Sequence, residues 1–250
     1  VALGTGDGGF GPLTTVDADI DAGGLLSGDL DGDGDPDLVI VKKEGIDPQD
    51  ELVVLSGNGD GTFDGPLGRY YTGQVPYATA LGDVDGDGDV DVLSAFSDKM
   101  AWYENTDGKG NFGPQQVITT AADSAKSVYA ADLDGDGDID ILGVSPSETA
   151  WYENTNGKGT FRDQKVISTR ADGAFSVYAA DVDGDGDLDL VAGNWGSTPI
   201  RLYLNNGTAD PWNGGSGQDI TTDAHSTRSV ALGDVDGDGD LDLVTGNGFG

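Results

Sequence analysis

Nine-residue acidic segments of the form DxDGDGDxD begin at Asp29, Asp83, Asp132, Asp181 and Asp234. Carboxylates at alternate positions, separated by glycines that allow a tight curl, suit one kind of chemistry: oxygen-only coordination of a hard cation. Ca2+ takes about six to eight such oxygens, whereas Mg2+ keeps waters and demands near-octahedral geometry, which a crowded acidic loop suits less well. In the first segment Asp29, Asp31, Asp33 and Asp37 offer carboxylates, and the backbone carbonyl of Asp35 is expected to fill the seventh place. The same roles fall to Asp83, Asp85, Asp87, Asp89 and Asp91, and to Asp132, Asp134, Asp136, Asp138 and Asp140. The fourth set is Asp181, Asp183, Asp185, Asp187 and Asp189; the fifth is Asp234, Asp236, Asp238, Asp240 and Asp242. A merely solvated turn does not require five mutually repelling carboxylates five times over. An EF-hand would need a bidentate Glu at position 12 and flanking helices. Here that position holds Ile40, Ser94, Gly143, Ala192 or Thr245. The expectation is about five Ca2+ ions, one per segment.

The elements that position these loops follow from an internal repeat. Residues 101–142 read AWYENTDGKGNFGPQQVITTAADSAKSVYAADLDGDGDIDIL, and residues 150–191 read AWYENTNGKGTFRDQKVISTRADGAFSVYAADVDGDGDLDLV, a period of 49. Each repeat reads as four short strands rich in Val, Ile, Tyr and Phe and bounded by Gly, Asn, Asp and Pro. For residues 127–169 these are SVYAAD before the acidic loop, DILGVS after it, TAWYEN, and, past the turn TNGKGT, FRDQKVIST. No helix-period segment with caps is present. Four-stranded antiparallel units at this spacing predict an all-β β-propeller. The expected single domain spans 1–250, with blades at 25–71, 78–120, 127–169 and 176–223, and a fifth made of 229–250 plus 1–17. In that fifth blade SVALGD and LDLVTGN from the C-terminal end pair with VALG and FGPLTTV from the N-terminal end, closing a five-bladed ring without free edges.

DxDGDGDxD followed by an apolar strand, then WYEN and NGKGTF, resembles the FG-GAP/VCBS repeat family of integrin-like propellers, over essentially all 250 residues. The resemblance implies one Ca2+ in the first hairpin of each blade and an extracellular, secreted or cell-surface setting. It also implies a role in adhesion, in lectin-like sugar binding, or as an accessory module of a larger protein. Integrin-like propellers usually have seven blades and this chain supplies five, so a ligand site formed by a seven-bladed ring does not carry over.

Charge and composition narrow the partners. The 46 acidic residues against 12 basic ones give a formal net charge of −34, and 25 of those acids sit in the five loops. Such a surface repels nucleic acid and anionic membranes, so neither is an expected partner. No apolar run approaches the ~20 residues needed to span a membrane. Cysteine is absent, which excludes disulfides and thiolate metal sites. The chain opens on Val1 without a Met or a visible signal peptide and reads as a processed or excised segment. With one histidine, no cysteine and no HExxH, an enzyme is not expected. A polysaccharide lyase or hydrolase remains the residual alternative, because carboxylate pairs abound.

Antiparallel order puts the acidic loops and NGKG turns on one face, and the more varied loops on the other. Those varied loops are 43–50, 97–99, 145–148, 195–198, 72–77, 121–126, 170–175 and 223–228. Binding residues are expected there: Trp195 as a flat apolar surface, with Tyr77, Arg170, Phe175, His225 and Arg228 nearby. The expected partner is a glycan or an extracellular protein, the alternative a rigid calcium-locked spacer. Trp102, Trp151, Tyr103 and Tyr152 recur at equivalent places and are expected in the core. The longer turn 205–219, with Trp212, reads equally as a binding loop or a tolerated insertion.

Overall fold

The structure is a computed structural model that describes residues 1–5, 9–13, 15–16, 22–42, 51–72, 76–122, 124–169, 173–195, 200–212, 217–221 and 226–248. The described residues form an all-β fold, and among them no helix is long and apolar enough to cross a membrane. The first sheet contains β1 (Ala22–Gly28), β2 (Asp37–Lys42), β3 (Glu51–Gly57) and β4 (Phe63–Tyr71). The second contains β5 (Ala78–Gly82), β6 (Asp91–Ala95), β7 (Met100–Tyr103) and β8 (Gln116–Thr119). The third contains β9 (Ser127–Ala131), β10 (Asp140–Val144), β11 (Thr149–Tyr152) and β12 (Lys165–Ser168). The fourth contains β13 (Ala174–Ala180), β14 (Asp189–Asn194), β15 (Ile200–Tyr203) and β16 (Gln218–Thr221). Each is an antiparallel meander in sequence order. The first strands of successive sheets lie side by side, β1 on β5, β5 on β9, β9 on β13 and β13 on β17 (Thr227–Gly233). That is the blade arrangement of a propeller.

Sheets stacked face to face bury their middle strands on both sides, so those strands read as continuous apolar runs rather than alternating ones. β6, β10 and β14 are buried at every position, as are β7 and β11. The core consequently lies between blades. Leu30, Val39, Leu52 and Val54 of the first meet Val92, Tyr103 and Phe112 of the second. Leu93, Met100 and Trp102 of the second meet Val128, Ile141 and Tyr152 of the third. Leu142 and Trp151 of the third meet Val177, Leu190, Tyr203 and Trp212 of the fourth. The repeat tryptophans and tyrosines are therefore core residues. Trp212 joins them: its ring meets Trp151 edge-on at 5.9 Å, and its Nε1–H donates to Tyr203 O at 3.2 Å. That end of the long turn is packing material, while residues 213–216 lie outside the described residues.

A polar staple crosses three of these interfaces. Asn105 Nδ2–H donates to Leu30 O (2.8 Å), Asn154 to Val84 O (2.8 Å) and Asn205 to Leu133 O (3.0 Å). In each case the side chain of one blade satisfies a buried carbonyl in the acidic loop of the blade before it.

The fifth sheet departs from the expectation. β17 pairs only with β18 (Asp242–Asn247), giving two strands rather than four, and among the described residues no ladder joins β18 to residues 1–4. Residues 1–5 and 9–13 lie apart from that sheet, with a bridge between Gly4 and Phe10. Physically, β18 lacks its covering neighbour: Val244 is 52% exposed, whereas its counterparts Leu93 and Leu142 are fully buried. The staple also has no side chain to make it, since Gly4 stands where blades two to four have Asn.

Removing a staple should weaken the stack without touching an acidic side chain. Asn154→Ala leaves the Val84 and Ile139 carbonyls without that donor and should destabilise by about 1–3 kcal/mol. Thermal unfolding should show a drop of several degrees. The control Asn156→Ala, on an exposed turn, should change stability by less than about 0.5 kcal/mol.

Candidate functional site

Each acidic loop is wound by its own first carboxylate. In the third loop Asp132 Oδ1 accepts the N–H groups of Gly135 (2.8 Å) and Asp136 (3.2 Å), and Oδ2 accepts that of Gly137 (3.0 Å). Gly135 and Gly137 sit at φ of 75° and 96°, a region that side chains disfavour, so the sequence needs glycine there. Asp136 Oδ1 then accepts the Asp138 N–H at 2.9 Å. The same winding recurs at Asp29, Asp83, Asp181 and Asp234.

The ninth residue ties the loop to the sheet. Asp140 Oδ2 accepts the Leu133 N–H at 3.2 Å, and Oδ1 accepts the Asn154 N–H at 2.8 Å from just beyond the neighbouring strand β11. Asp37, Asp91 and Asp189 do the same with Leu30 and Gly57, Val84 and Asn105, and Val182 and Asn205. All four are completely buried. Burial pushes the Asp91 and Asp140 carboxyls up to about 7, against the pull of their backbone N–H partners, and raises Asp37 and Asp189 too.

Carboxylate oxygens converge in every loop. Within 4.8 Å of one another lie those of Asp29, Asp31 and Asp33; Asp83, Asp85 and Asp91; and Asp132, Asp134 and Asp136. The remaining two clusters are Asp181, Asp183 and Asp189, and Asp234, Asp236 and Asp242. Position three is the clearest sign of a missing partner: Asp85 Oδ1 and Asp134 Oδ1 are buried and accept no hydrogen bond. Burial first, then the neighbouring charges of Asp87 and Asp136, raises the carboxyls of Asp85 and Asp134. Orphaned, mutually repelling oxygens of this kind fit a hard divalent cation, which would neutralise them and supply the absent partner.

The expected ligand set is only partly brought together. Positions one and three belong to all five clusters, position five to two, and position nine to three. Position seven belongs to none. The carboxylates of Asp35, Asp89, Asp138 and Asp187 lie against Gly59, Gly108, Gly157 and Gly207, where any Cβ would collide with them. Those side chains lock the loop to the neighbouring turn. Two groups were missed in the sequence. Glu104 and Glu153, at the end of the WYEN strands, add their charge beside Asp85 and Asp134. Glu153 is itself held by Arg162 (2.8 Å) and Lys165 (3.1 Å). Their recurrence in WYEN was the available signal.

On the opposite face three expected binding residues converge. Phe175, Trp195 and Arg228, with Pro146 and Gly173, line a cavity of about 350 Å3 where the third, fourth and fifth sheets meet. The Trp195 N–H donates to Gly173 O at 2.6 Å and the Gly173 N–H to Pro146 O at 3.0 Å, which pins the loop. Phe175 lies 5.8 Å from the Trp195 ring, tilted by 36°, and the Arg228 guanidinium lies 4.7 Å over it. Tyr77 stands apart, over a hollow of about 200 Å3 edged by Leu25, Leu26, Val41 and Pro76. Arg170 and His225 lie outside the described residues.

The FG-GAP-like repeat model matches four times, at residues 29–94, 83–143, 132–192 and 182–245. The chain belongs to the FG-GAP-like repeat family. No curated protein matches its sequence. Among solved structures it is similar to an Agrocybe aegerita lectin described as specifically recognising non-reducing terminal N-acetylglucosamine, with a TM-score of 0.70 and 21% identity, covering 98% of this chain and 67% of that one. It is also similar to BBS1N, solved in complex with ARL6DN and soaked with lead, with a TM-score of 0.54 and 12% identity, covering 87% of this chain and 60% of that one. At these identities the likeness concerns the fold.

If each FG-GAP-like loop holds its own cation, native mass spectrometry in a divalent metal should show stepwise filling up to five ions. Asp132→Ala should lose one and keep the rest. Loss of all ions together, or an unchanged count, would contradict independent sites.

Proposed function

We propose that this FG-GAP-like repeat protein is a secreted, calcium-stabilised glycan-binding module rather than an enzyme. The observation that carries the reading is the pocket of Phe175, Trp195 and Arg228 on the face opposite the acidic loops. Its lining supplies aromatic surface, backbone and one guanidinium, which is equipment for holding a sugar ring and its polar substituents. The fold likeness to a lectin that recognises N-acetylglucosamine supports a glycan as the partner. Calcium fits the oxygen-only clusters and an extracellular setting. When bound, it supplies charge neutralisation. The chain's own groups, position one winding the loop and position nine fastening it to the third strand, turn that neutralisation into rigidity of the blade.

A glycan array in millimolar calcium, with a chelator control, tests this. The expected result is binding to a defined saccharide class, reduced at least about tenfold, or ~1.4 kcal/mol, by Trp195→Ala with folding retained. A folded protein that binds no glycan would overturn the reading in favour of a spacer or a protein-binding role.

The proposal includes a closed five-bladed ring. The described residues 1–5 and 9–13 pair as in an outer blade hairpin: the Gly4–Phe10 bridge matches Asn105–Phe112 and Asn154–Phe161. The Gly11 N–H donates to Leu3 O (2.8 Å) as the Gly113 N–H does to Glu104 O (2.7 Å). Leu3 also packs on Gly61 of the first blade. Asp242 meanwhile accepts the Val235 N–H (2.9 Å) but, among the described residues, no N–H from a third strand. Gly4 is the residue equivalent to Asn105, so its N–H is the proposed donor. The matching register sets Ala2 opposite Leu243, and directly opposed strand residues, about 4.5–5.5 Å apart at Cα, fall within disulfide reach. Ala2→Cys with Leu243→Cys should therefore form an intramolecular disulfide in the monomer. Absence of any disulfide, or only intermolecular ones, would sink the closed ring.

A further inference from the structure

The varied face carries an arrangement of charge that the acidic composition makes unexpected. With 46 acids against 12 bases, every cation has carboxylates to choose from. Elsewhere the cations take them: Arg162 and Lys165 pair with Glu153, and Arg201 with Asp219. Lys165 and Arg201 lie over Trp151 and Tyr203 as well, but on the varied face the ring contact stands without the carboxylate. Lys126 Nζ stands 3.5 Å over Tyr77, Arg228 lies 4.7 Å over Trp195, and Lys99 Nζ 5.2 Å from Phe96. Among the described residues none of these three cations pairs with a carboxylate.

The placement follows the repeat. Tyr77, Lys126, Phe175 and Arg228 each stand six residues before the first Asp of their acidic loop, so one structural position alternates aromatic and cation from blade to blade. Of these, only Phe175 and Arg228 share a pocket, with Trp195 between them. A guanidinium stacked on an indole is oriented by the ring and keeps its in-plane donors free. Those donors form a planar fork that matches a carboxylate in a bidentate way, while an ammonium acts only as a point charge.

We propose that the Trp195 pocket takes a carboxylate-bearing saccharide, with Arg228 reading the carboxylate and Phe175 and Trp195 contacting the ring. This deepens the glycan reading and rests on it. The acidic loops, on the other face, hold the like charge that would repel such a ligand away from the pocket, and bound cations would reduce it further. Arg228 gives the anion a local attraction for which, among the described residues, no ion-paired carboxylate competes.

The test compares oligosaccharides of equal length by calorimetry in millimolar calcium: an oligouronate, its neutral parent, and a sulfated counterpart. The oligouronate should bind at least tenfold tighter than the neutral sugar. Arg228→Ala should abolish that preference while leaving residual neutral binding, Arg228→Lys should restore only part of it, and Lys126→Ala, at another seam, should leave it unchanged. Equal binding of neutral and uronate sugars, indifferent to Arg228→Ala, overturns the carboxylate proposal and leaves the glycan reading intact. A sulfated ligand that binds as well as the uronate also overturns it, since the fork would then be reading charge alone. No binding of any saccharide by the folded protein overturns both. Uronate binding that survives Arg228→Ala and vanishes with calcium removal assigns the carboxylate to the acidic loops and overturns the pocket.

Discussion

Carboxylates buried at the ninth position of the acidic loops govern how the blades are built. Asp37, Asp91, Asp140 and Asp189 each receive one N–H from the loop and one from the third strand of the same sheet. That pair of bonds fixes loop, hairpin and neighbouring strand in one geometry. It also places a charge where solvent cannot reach, which is why burial dominates the upward shift of Asp91 and Asp140. Two N–H donors compensate part of that desolvation, but the orphaned oxygens of Asp85 and Asp134 have no such relief. The loop is thus a structure whose backbone is fully organised and whose charge is not balanced from within. A bound cation would resolve the imbalance, and its binding energy would then count as folding energy.

The second constraint is that a lean composition must still make a core. Hydrophobic residues are 36% of the chain, and they are concentrated in the second and third strands, buried on both faces. Each interface uses one large aromatic set: Tyr103 and Phe112, then Trp102 and Tyr152, then Trp151, Tyr203 and Trp212. Large rings bury much area per residue, so few residues suffice. The Asn staples then settle the buried carbonyls that such close stacking would leave bare. Apolar packing gives the attraction, and the staples fix how successive blades are set against one another.

Sequence periodicity made the sheets and the acidic loops legible because both are local: strands four to nine residues long, separated by glycine-rich loops, repeat with almost the same letters. Position seven shows where local reading stopped. The motif assigns Asp138 a backbone-carbonyl role and leaves its carboxylate without one; the structure sets that carboxylate against Gly157, a contact made only when the turn folds back beside the loop. The same limit applies to Trp212, whose destination depends on Trp151 across the interface. At the pocket, the sequence put Phe175, Trp195 and Arg228 on one face through strand direction. Their convergence, and the separation of Tyr77, depends on which seam each loop overhangs, and that is set by the stacking of blades.

The two ends of the stack differ from its middle in ways that act together. The interface of the fourth and fifth sheets buries Val191, Ile200 and Val230 and no aromatic ring completely. On the far side of the first blade, Ile40, Val53 and Leu55 are met by Val16. Gly57 and Gly4 stand where the second, third and fourth blades have their Asn, so neither can supply the side-chain amide that staples those blades. Fewer rings and no staple mark the border of the fourth and fifth sheets, where β17 lies instead against β13 and β14 and the Val230 N–H donates to Ser176 Oγ at 3.1 Å. The pocket of Trp195 and Arg228 lies beside that border, since Arg228 belongs to β17 and Trp195 follows β14. That seam contributes the stacked guanidinium from one side and the indole from the other, so the pocket exists only while the fourth and fifth sheets stay in contact.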